Sequence, residues 1–264
     1  MPSKTSPAKL HFVTRGEGPP LMLIMGLGAD GSVWEEHVKA YEKHFKCYLI
    51  DNRGIGLSPA PTGPYTTAIM ADDVAALMDA EGIAAAHVAG LSMGGAIAQE
   101  LALRHPTRVT KLVLVSTWAK CDDYMKRVFT HFKDMRAVST LGQFMQLLLL
   151  WIWTPAWMTA HADDMDQACR DAGANENPQP RQGFEGQCDA CITHDTVERL
   201  SNITVPTLIT IGTLDIFTPL ACSEFLHAQI SGSRLVHFTK SGHVHHWEEL
   251  ADFNATTTHF LLED

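Results

Sequence analysis

Short apolar runs alternate along this chain with longer segments of helical period, and few architectures accommodate that alternation. The runs are Leu21–Met25, Cys47–Ile50, His87–Ala89, Lys111–Val115, Thr207–Ile211 and Leu235–Phe238. Strands that are apolar on both faces belong in a parallel sheet with helices on each side. The covering helices are expected over about 32–44, 66–81, 93–105, 219–229 and 246–262. An earlier run, roughly Lys9 to Thr14, reads as an antiparallel strand that starts the sheet.

Between about 118 and 200 the rhythm breaks. Asp122–Arg136, Leu141–Trp153 and Pro155–Asp171 read as helices, and a looser Gly-, Pro-, Gln- and Asn-rich stretch follows from Ala172 to Gly186. This insertion follows a strand whose C-terminal end faces the active site in an open α/β sheet, so a lid is expected. The chain of 264 residues then divides into a core, 1–117 with 201–264, and an all-helical lid, 118–200. A single α/β domain of that length buries enough surface to need no disulfides.

Gly90-Leu91-Ser92-Met93-Gly94-Gly95 fits G-x-S-x-G, with an apolar strand before it and a good helix after it. A serine on such a sharp strand-to-helix turn projects its hydroxyl clear of the sheet, and the turn needs small neighbours at 90 and 94. The helix behind it adds free N–H groups and a positive dipole end. A serine nucleophile needs an oriented base, and for this motif the order along the chain is Ser, acid, His. Asp215 lies just past the Thr207–Ile211 strand, although it also suits an N-cap or turn role. His243 follows the Leu235–Phe238 strand behind the small Gly242, with His245 and His246 as competitors. An oxyanion hole needs two backbone N–H donors. Met93, after the nucleophile, supplies one; Leu27, in the glycine-rich turn Met25-Gly26-Leu27-Gly28, supplies the other.

With these motifs the chain resembles the α/β-hydrolase superfamily over essentially its whole length. The resemblance rests on Met25-Gly26-Leu27-Gly28, Asp51-Asn52-Arg53-Gly54-Ile55-Gly56-Leu57-Ser58, the Ser92 elbow, Asp215, and Gly242-His243 with Trp247-Glu248 behind. In its elbow it is most similar to enol-lactonases and small esterases. The resemblance implies a mostly parallel sheet covered by helices on both faces, with an inserted helical lid. It also implies a Ser92–His243–Asp215 hydrolase of carboxylic esters or lactones, and a loop at Asp51–Gly54 that braces the site more than it reacts. Many members carry His-Gly where this chain has Met25-Gly26, so a polar neighbour of the site is lost while the backbone donor remains. The serine excludes relatives that need an aspartate nucleophile. A C–C bond hydrolase of vinylogous diketones, a perhydrolase and a hydrolase-fold ligand receptor with slow turnover stay open.

No metal and no organic cofactor is implied: fourteen histidines show no HExxH spacing, and Cys188-Asp189-Ala190-Cys191 lacks a second CxxC. A formal charge of −10 argues against nucleic acid or an anionic membrane as partner, which leaves a small-molecule substrate, with a homo-oligomer open. The polar start Met1–Lys9 has no signal-peptide core, and the scattered cysteines suit a reducing cytoplasm. The greasiest stretch, Leu147–Trp153, is far short of the ~20 residues that span a bilayer. It is apolar nearly all round, so one face is expected to meet the cavity above Ser92, with Trp151, Trp153 and Trp157 as substrate contacts. No Arg or Lys lies between Arg136 and Arg170, which points to neutral, apolar substrates.

Overall fold

The computed structural model describes residues 6–263; residues 1–5 and 264, with the beginning of the polar N-terminal stretch, lie outside the described residues. Seven strands form one sheet: β1 Phe12–Arg15, β2 Pro20–Ile24, β3 Lys46–Ile50, β4 Ala86–Leu91, β5 Val109–Val115, β6 Thr207–Gly212 and β7 Arg234–Phe238. Their spatial order is β1-β3-β2-β4-β5-β6-β7, with β1 antiparallel to β3 and every other pair parallel. Alternating side chains feed two cores. Met22, Ile24, Val88, Leu112 and Leu114 join one cluster, while Leu21, Leu23, Leu91, Val113 and Val115 join the other. Both faces are therefore buried, which is why the strands read as apolar runs rather than alternating ones.

On the first face lie α2 Thr67–Ala80 and α3 Met93–Arg104; on the second lie α1 Glu35–Tyr41 and α11 Leu250–Leu262. The short α10 His245–Glu248 precedes α11, and α9 Leu220–Gln229 links β6 to β7. Between β5 and β6 come five helices: α4 Asp123–Val138, α5 Leu141–Ile152, α6 Pro155–Ala160, α7 Ala162–Ala174 and α8 Arg181–Thr193. Polar side chains start three of them: Asp122, Thr140 and Thr154 accept from the backbone N–H three residues on. Thr140 and Gln143 complete a capping box.

Three expectations need correction. The segment Pro155–Asp171 is two helices, broken at His161, whose φ of −122° and ψ of 35° leave the helical region. The C-terminal helix is likewise interrupted, at Glu249 (φ −125°, ψ 48°). The looser stretch Ala172–Gly186 ends inside α8, because its glycines serve packing rather than flexibility. A β-carbon on Gly183 would lie 2.2 Å from Gly54 O, and one on Gly186 2.7 Å from the Tyr65 ring. Only bare backbone lets α8 approach the loop after β3 that closely. All six cysteines are free thiols, and burial pushes those of Cys188 and Cys191 up, away from reactive thiolates. Among the described residues, no helix is long and apolar enough to cross a membrane.

Candidate active site

Ser92 stands between β4 and α3 with φ 54° and ψ −117°, a conformation strained for any residue with a side chain. The surroundings fix it there. Its N–H donates to Val115 O (2.8 Å), and its carbonyl accepts from Thr117 Oγ1 (2.8 Å) and from the N–H groups of Gly95 and Ala96. The tightness of this turn explains its glycines: a β-carbon would lie 2.2 Å from Gly94 O at position 90, and 2.1 Å from Ile24 O at position 94.

Asp215 lies in the turn after β6, nearly fully buried. Its Oδ1 accepts from the N–H groups of Phe217 and Thr218, both at 2.8 Å. Its Oδ2 accepts from Thr218 Oγ1 (2.6 Å) and lies 2.8 Å from His243 Nδ1. The carboxylate thus carries the turn role and the contact with the histidine together. The turns after β6 and β7 are locked to each other. Leu214 N–H donates to Ser241 O, and Thr213 N–H donates to Phe238 O. With Nδ1 engaged by Asp215, Nε2 is the nitrogen of His243 left for proton transfer.

The competing histidines are engaged differently: His245 is not part of the cavity that holds Ser92 and His243, whereas His246 borders it without contacting Asp215. His245 is fully buried, with Nδ1 3.1 Å from Ser116 Oγ and Nε2 3.0 Å from Thr210 Oγ1. Burial pushes its pKa down to about 3. His246 packs against His37, and burial holds its pKa well below the usual value.

Ser92 and His243 line one cavity of about 190 Å³. Its wall is completed chiefly by Leu27, Phe132, Leu148, Ile152, Trp153 and Phe217, and among the described residues no carboxylate, Lys or Arg takes part. Of the three tryptophans singled out in the sequence, Trp153 lines it. Trp151 stands behind, its ring centroid 6.0 Å from that of Phe132 and 6.4 Å from that of Phe217. Trp157 is stacked between Trp153 (5.3 Å) and His161 (4.0 Å).

The Met25–Gly28 turn lies directly against the serine: a β-carbon on Gly26 would be 3.2 Å from Ser92 Cβ. Neither Leu27 N–H nor Met93 N–H donates to a protein acceptor among the described residues. The turn itself is held from two sides. Asn52 Nδ2 donates to Met25 O (2.8 Å), and Gln187 Oε1 on α8 accepts from Gly28 N–H (3.1 Å). Gln187 Nε2 also donates to Arg53 O (2.9 Å), while Arg53 itself forms a buried ion pair with Asp73.

Sequence reading missed Thr218, Ser116, Thr117 and Gln187. Thr218 alone offered a signal, three residues past an aspartate at a helix start; the rest meet the site only through tertiary packing.

The model of the family described as alpha/beta hydrolase fold matches residues 19–250. A Caulobacter sp. (strain K31) protein named "Putative carbamate hydrolase RutD" is 31% identical over 254 residues, covering 96% of this chain and 94% of its own. The crystal structure of the enol-lactonase from Burkholderia xenovorans LB400 superposes with a TM-score of 0.88 at 30% identity, over 97% of each chain. A hydrolase from Pseudomonas aeruginosa PA01 is similar at 29% identity and TM-score 0.87, over 97% of this chain and 95% of that one.

Proposed function

The chain belongs to the α/β-hydrolase family, and from that premise we propose that it is a serine hydrolase of neutral, apolar carboxylic esters or lactones. One observation carries the reading: Ser92 shares a nearly uncharged cavity with a histidine whose other ring nitrogen lies 2.8 Å from a buried aspartate. His243 Nε2 takes the proton of the Ser92 hydroxyl as Oγ attacks the substrate carbonyl. Asp215 keeps the proton of the imidazole on Nδ1 and stabilises the imidazolium that forms. The N–H groups of Leu27 and Met93 receive the negative charge that develops on the carbonyl oxygen, a contribution of roughly 3–4 kcal/mol per donor in comparable sites. The alcohol leaves with the proton from His243. Water then loses a proton to the same nitrogen and cleaves the acyl-enzyme. The helices α4–α8 act as a lid in this reading, with Leu148, Ile152 and Trp153 as the substrate-facing side chains.

A second reading is favoured by a different cavity, of about 440 Å³, lined by Arg136 and Gln179 together with Asp171, and sharing Leu148 with the first. A lactone that carries a carboxylate would place it there. The carbamate in the name of the Caulobacter relative is also a carbonyl compound and belongs in the same substrate panel. Steady-state rates on p-nitrophenyl butyrate, an apolar lactone, an aryl carbamate and a vinylogous diketone test the proposal, together with fluorophosphonate labelling. Ester or lactone turnover lost in Ser92→Ala, with labelling confined to Ser92, is the expected result. Turnover of the diketone alone, or undiminished labelling of Ser92→Ala, overturns it.

A further inference from the structure

His246 forms part of the wall of the Ser92 cavity and is fully buried. Its Nδ1 lies 3.0 Å from Nε2 of His37, whose own Nδ1 lies 2.9 Å from Oδ1 of Asn254 on α11. The remaining nitrogen, Nε2 of His246, is buried and has no hydrogen-bond partner among the described residues. The residue thus borders the substrate cavity while one of its ring atoms, at the end of a polar relay, is closed off from solvent and unpaired, and such an atom calls for a partner.

The relay fixes what that partner must be. Burial pushes the pKa of His37 down to about 4 and holds that of His246 well below the ordinary value, so both rings are neutral. A neutral imidazole carries one proton. The amide oxygen of Asn254 can only accept, which puts the proton of His37 on Nδ1 and leaves its Nε2 as a lone pair. That lone pair accepts from His246, whose proton therefore sits on Nδ1. Nε2 of His246 is then a lone pair as well.

We propose that His246 Nε2 is a hydrogen-bond acceptor in the substrate pocket, and that the enzyme favours neutral carbonyl substrates carrying an O–H or N–H donor near the scissile bond. The proposal rests on the hydrolase reading above and narrows its substrate class. An otherwise apolar wall discriminates little between similar acyl groups, whereas a pocket with a dedicated hydrogen-bonding atom rejects analogues that leave it unpaired. Asn254 is a positioning residue in this scheme. It acts through His37 and is not part of the cavity wall. The indole N–H of Trp34 is likewise buried without a partner, and its ring centroid lies 5.9 Å from that of His246. A water held between those two atoms is the competing use of the lone pair.

Two measurements on the full chain test this. Side-chain ¹⁵N NMR above pH 7 reads the tautomer directly: a proton on Nδ1 and none on Nε2 of His246 is expected. A proton on Nε2 overturns the proposal, since the relay would then run in reverse from the Asn254 amide nitrogen. The second measurement is kcat/KM for p-nitrophenyl 2- and 3-hydroxybutyrate against their methoxy counterparts. At least one hydroxyl ester should win by about tenfold or more. That ratio should fall towards one in Asn254→Ala and survive in Asn254→Asp, whose carboxylate can only accept. Ratios within about twofold of one for both pairs in the parent enzyme would mean that the lone pair is spent on water, and the proposal falls. Absence of turnover on the esters, the lactone and the carbamate alike would instead sink the hydrolase reading, with the tautomer measurement still deciding the acceptor.

Discussion

The hydroxyl of Ser116 donates to the backbone carbonyl of His243 across 2.8 Å, from a backbone held at φ 44°. Its neighbour Thr117 donates to the carbonyl of Ser92 over the same distance. Two consecutive residues at the end of β5 thus grip the proposed base and the proposed nucleophile. Their spacing is transmitted through a strand tip buried on all sides, which neither flexes nor compresses readily.

Ser116→Ala and Thr117→Val should therefore lower kcat by about 10- to 100-fold with KM little changed, because small misplacements of reacting groups are costly. Ser116→Ala also leaves His245 Nδ1 and His243 O without this partner, at about 1–3 kcal/mol of stability. Urea titration alongside steady-state kinetics separates the two effects. Unchanged kcat in both variants would show that the grip has no bearing on the chemistry.

For the proposed acid and base, His243→Ala should lower kcat by on the order of 10⁴–10⁶-fold and Asp215→Asn by roughly 10⁴-fold, the latter by favouring the wrong tautomer. His245→Ala should act differently. It removes a buried ring bonded to Ser116 and Thr210, so its main signature is lost stability, on the order of 2–4 kcal/mol. Folded His245→Ala protein with kcat reduced as far as in His243→Ala would reassign the base.

Stability should fall on mild acidification. Burial lowers the pKa of His37 to about 4, and those of His194 and His245 to about 3, from an ordinary 6.5. Each ring is harder to protonate in the folded chain, so the unfolded chain binds more protons below pH 6.5. Stability is full above that pH and drops as the pH falls from 6.5 towards 4 for His37 and towards 3 for His194 and His245. At pH 5 the loss is about 2 kcal/mol for each such ring. Calorimetry at pH 7.5 and pH 5 measures it, and an unchanged Tm would contradict the buried neutral assignment.

A matched pair of substrates, one neutral and one bearing a remote carboxylate, decides between the two cavities. The Ser92 cavity alone predicts at least about a tenfold advantage in kcat/KM for the neutral member, roughly 1.4 kcal/mol. A clear preference for the anion, abolished in Arg136→Gln, would instead assign the acyl or leaving group to the Arg136 cavity.

What the sequence disclosed follows physical locality. Ser92 was legible because a strand, a turn that needs glycine and a helix lie side by side in the chain. Asp215 and His243 were legible as residues that follow strands in a required order. Trp151 and Trp157 share the greasy character of Trp153, yet only Trp153 lines the cavity, since periodicity does not say which neighbour each face of a helix meets. The helix α8 was hidden because Gly183 and Gly186 signal a loop unless the partner backbone at Gly54 is known. Gln187 was out of reach for the same reason: the two partners that tie it to the core, Gly28 and Arg53, lie more than a hundred residues away in the chain.

The bonds of Gln187 bear on how this protein could be re-engineered or could have diverged. Because α8 grips the Gly28 turn and the backbone of Arg53, the region between β5 and β6 is not one exchangeable cassette. A chimaera that imports foreign helices in place of α5–α7 alone keeps the turn next to Ser92 tethered, and trades one set of cavity walls for another. A transplant that runs through α8 severs that tether unless the donor's own core loops come with it. New specificities should therefore arise by exchange upstream of Arg181, with α8 inherited together with the sheet.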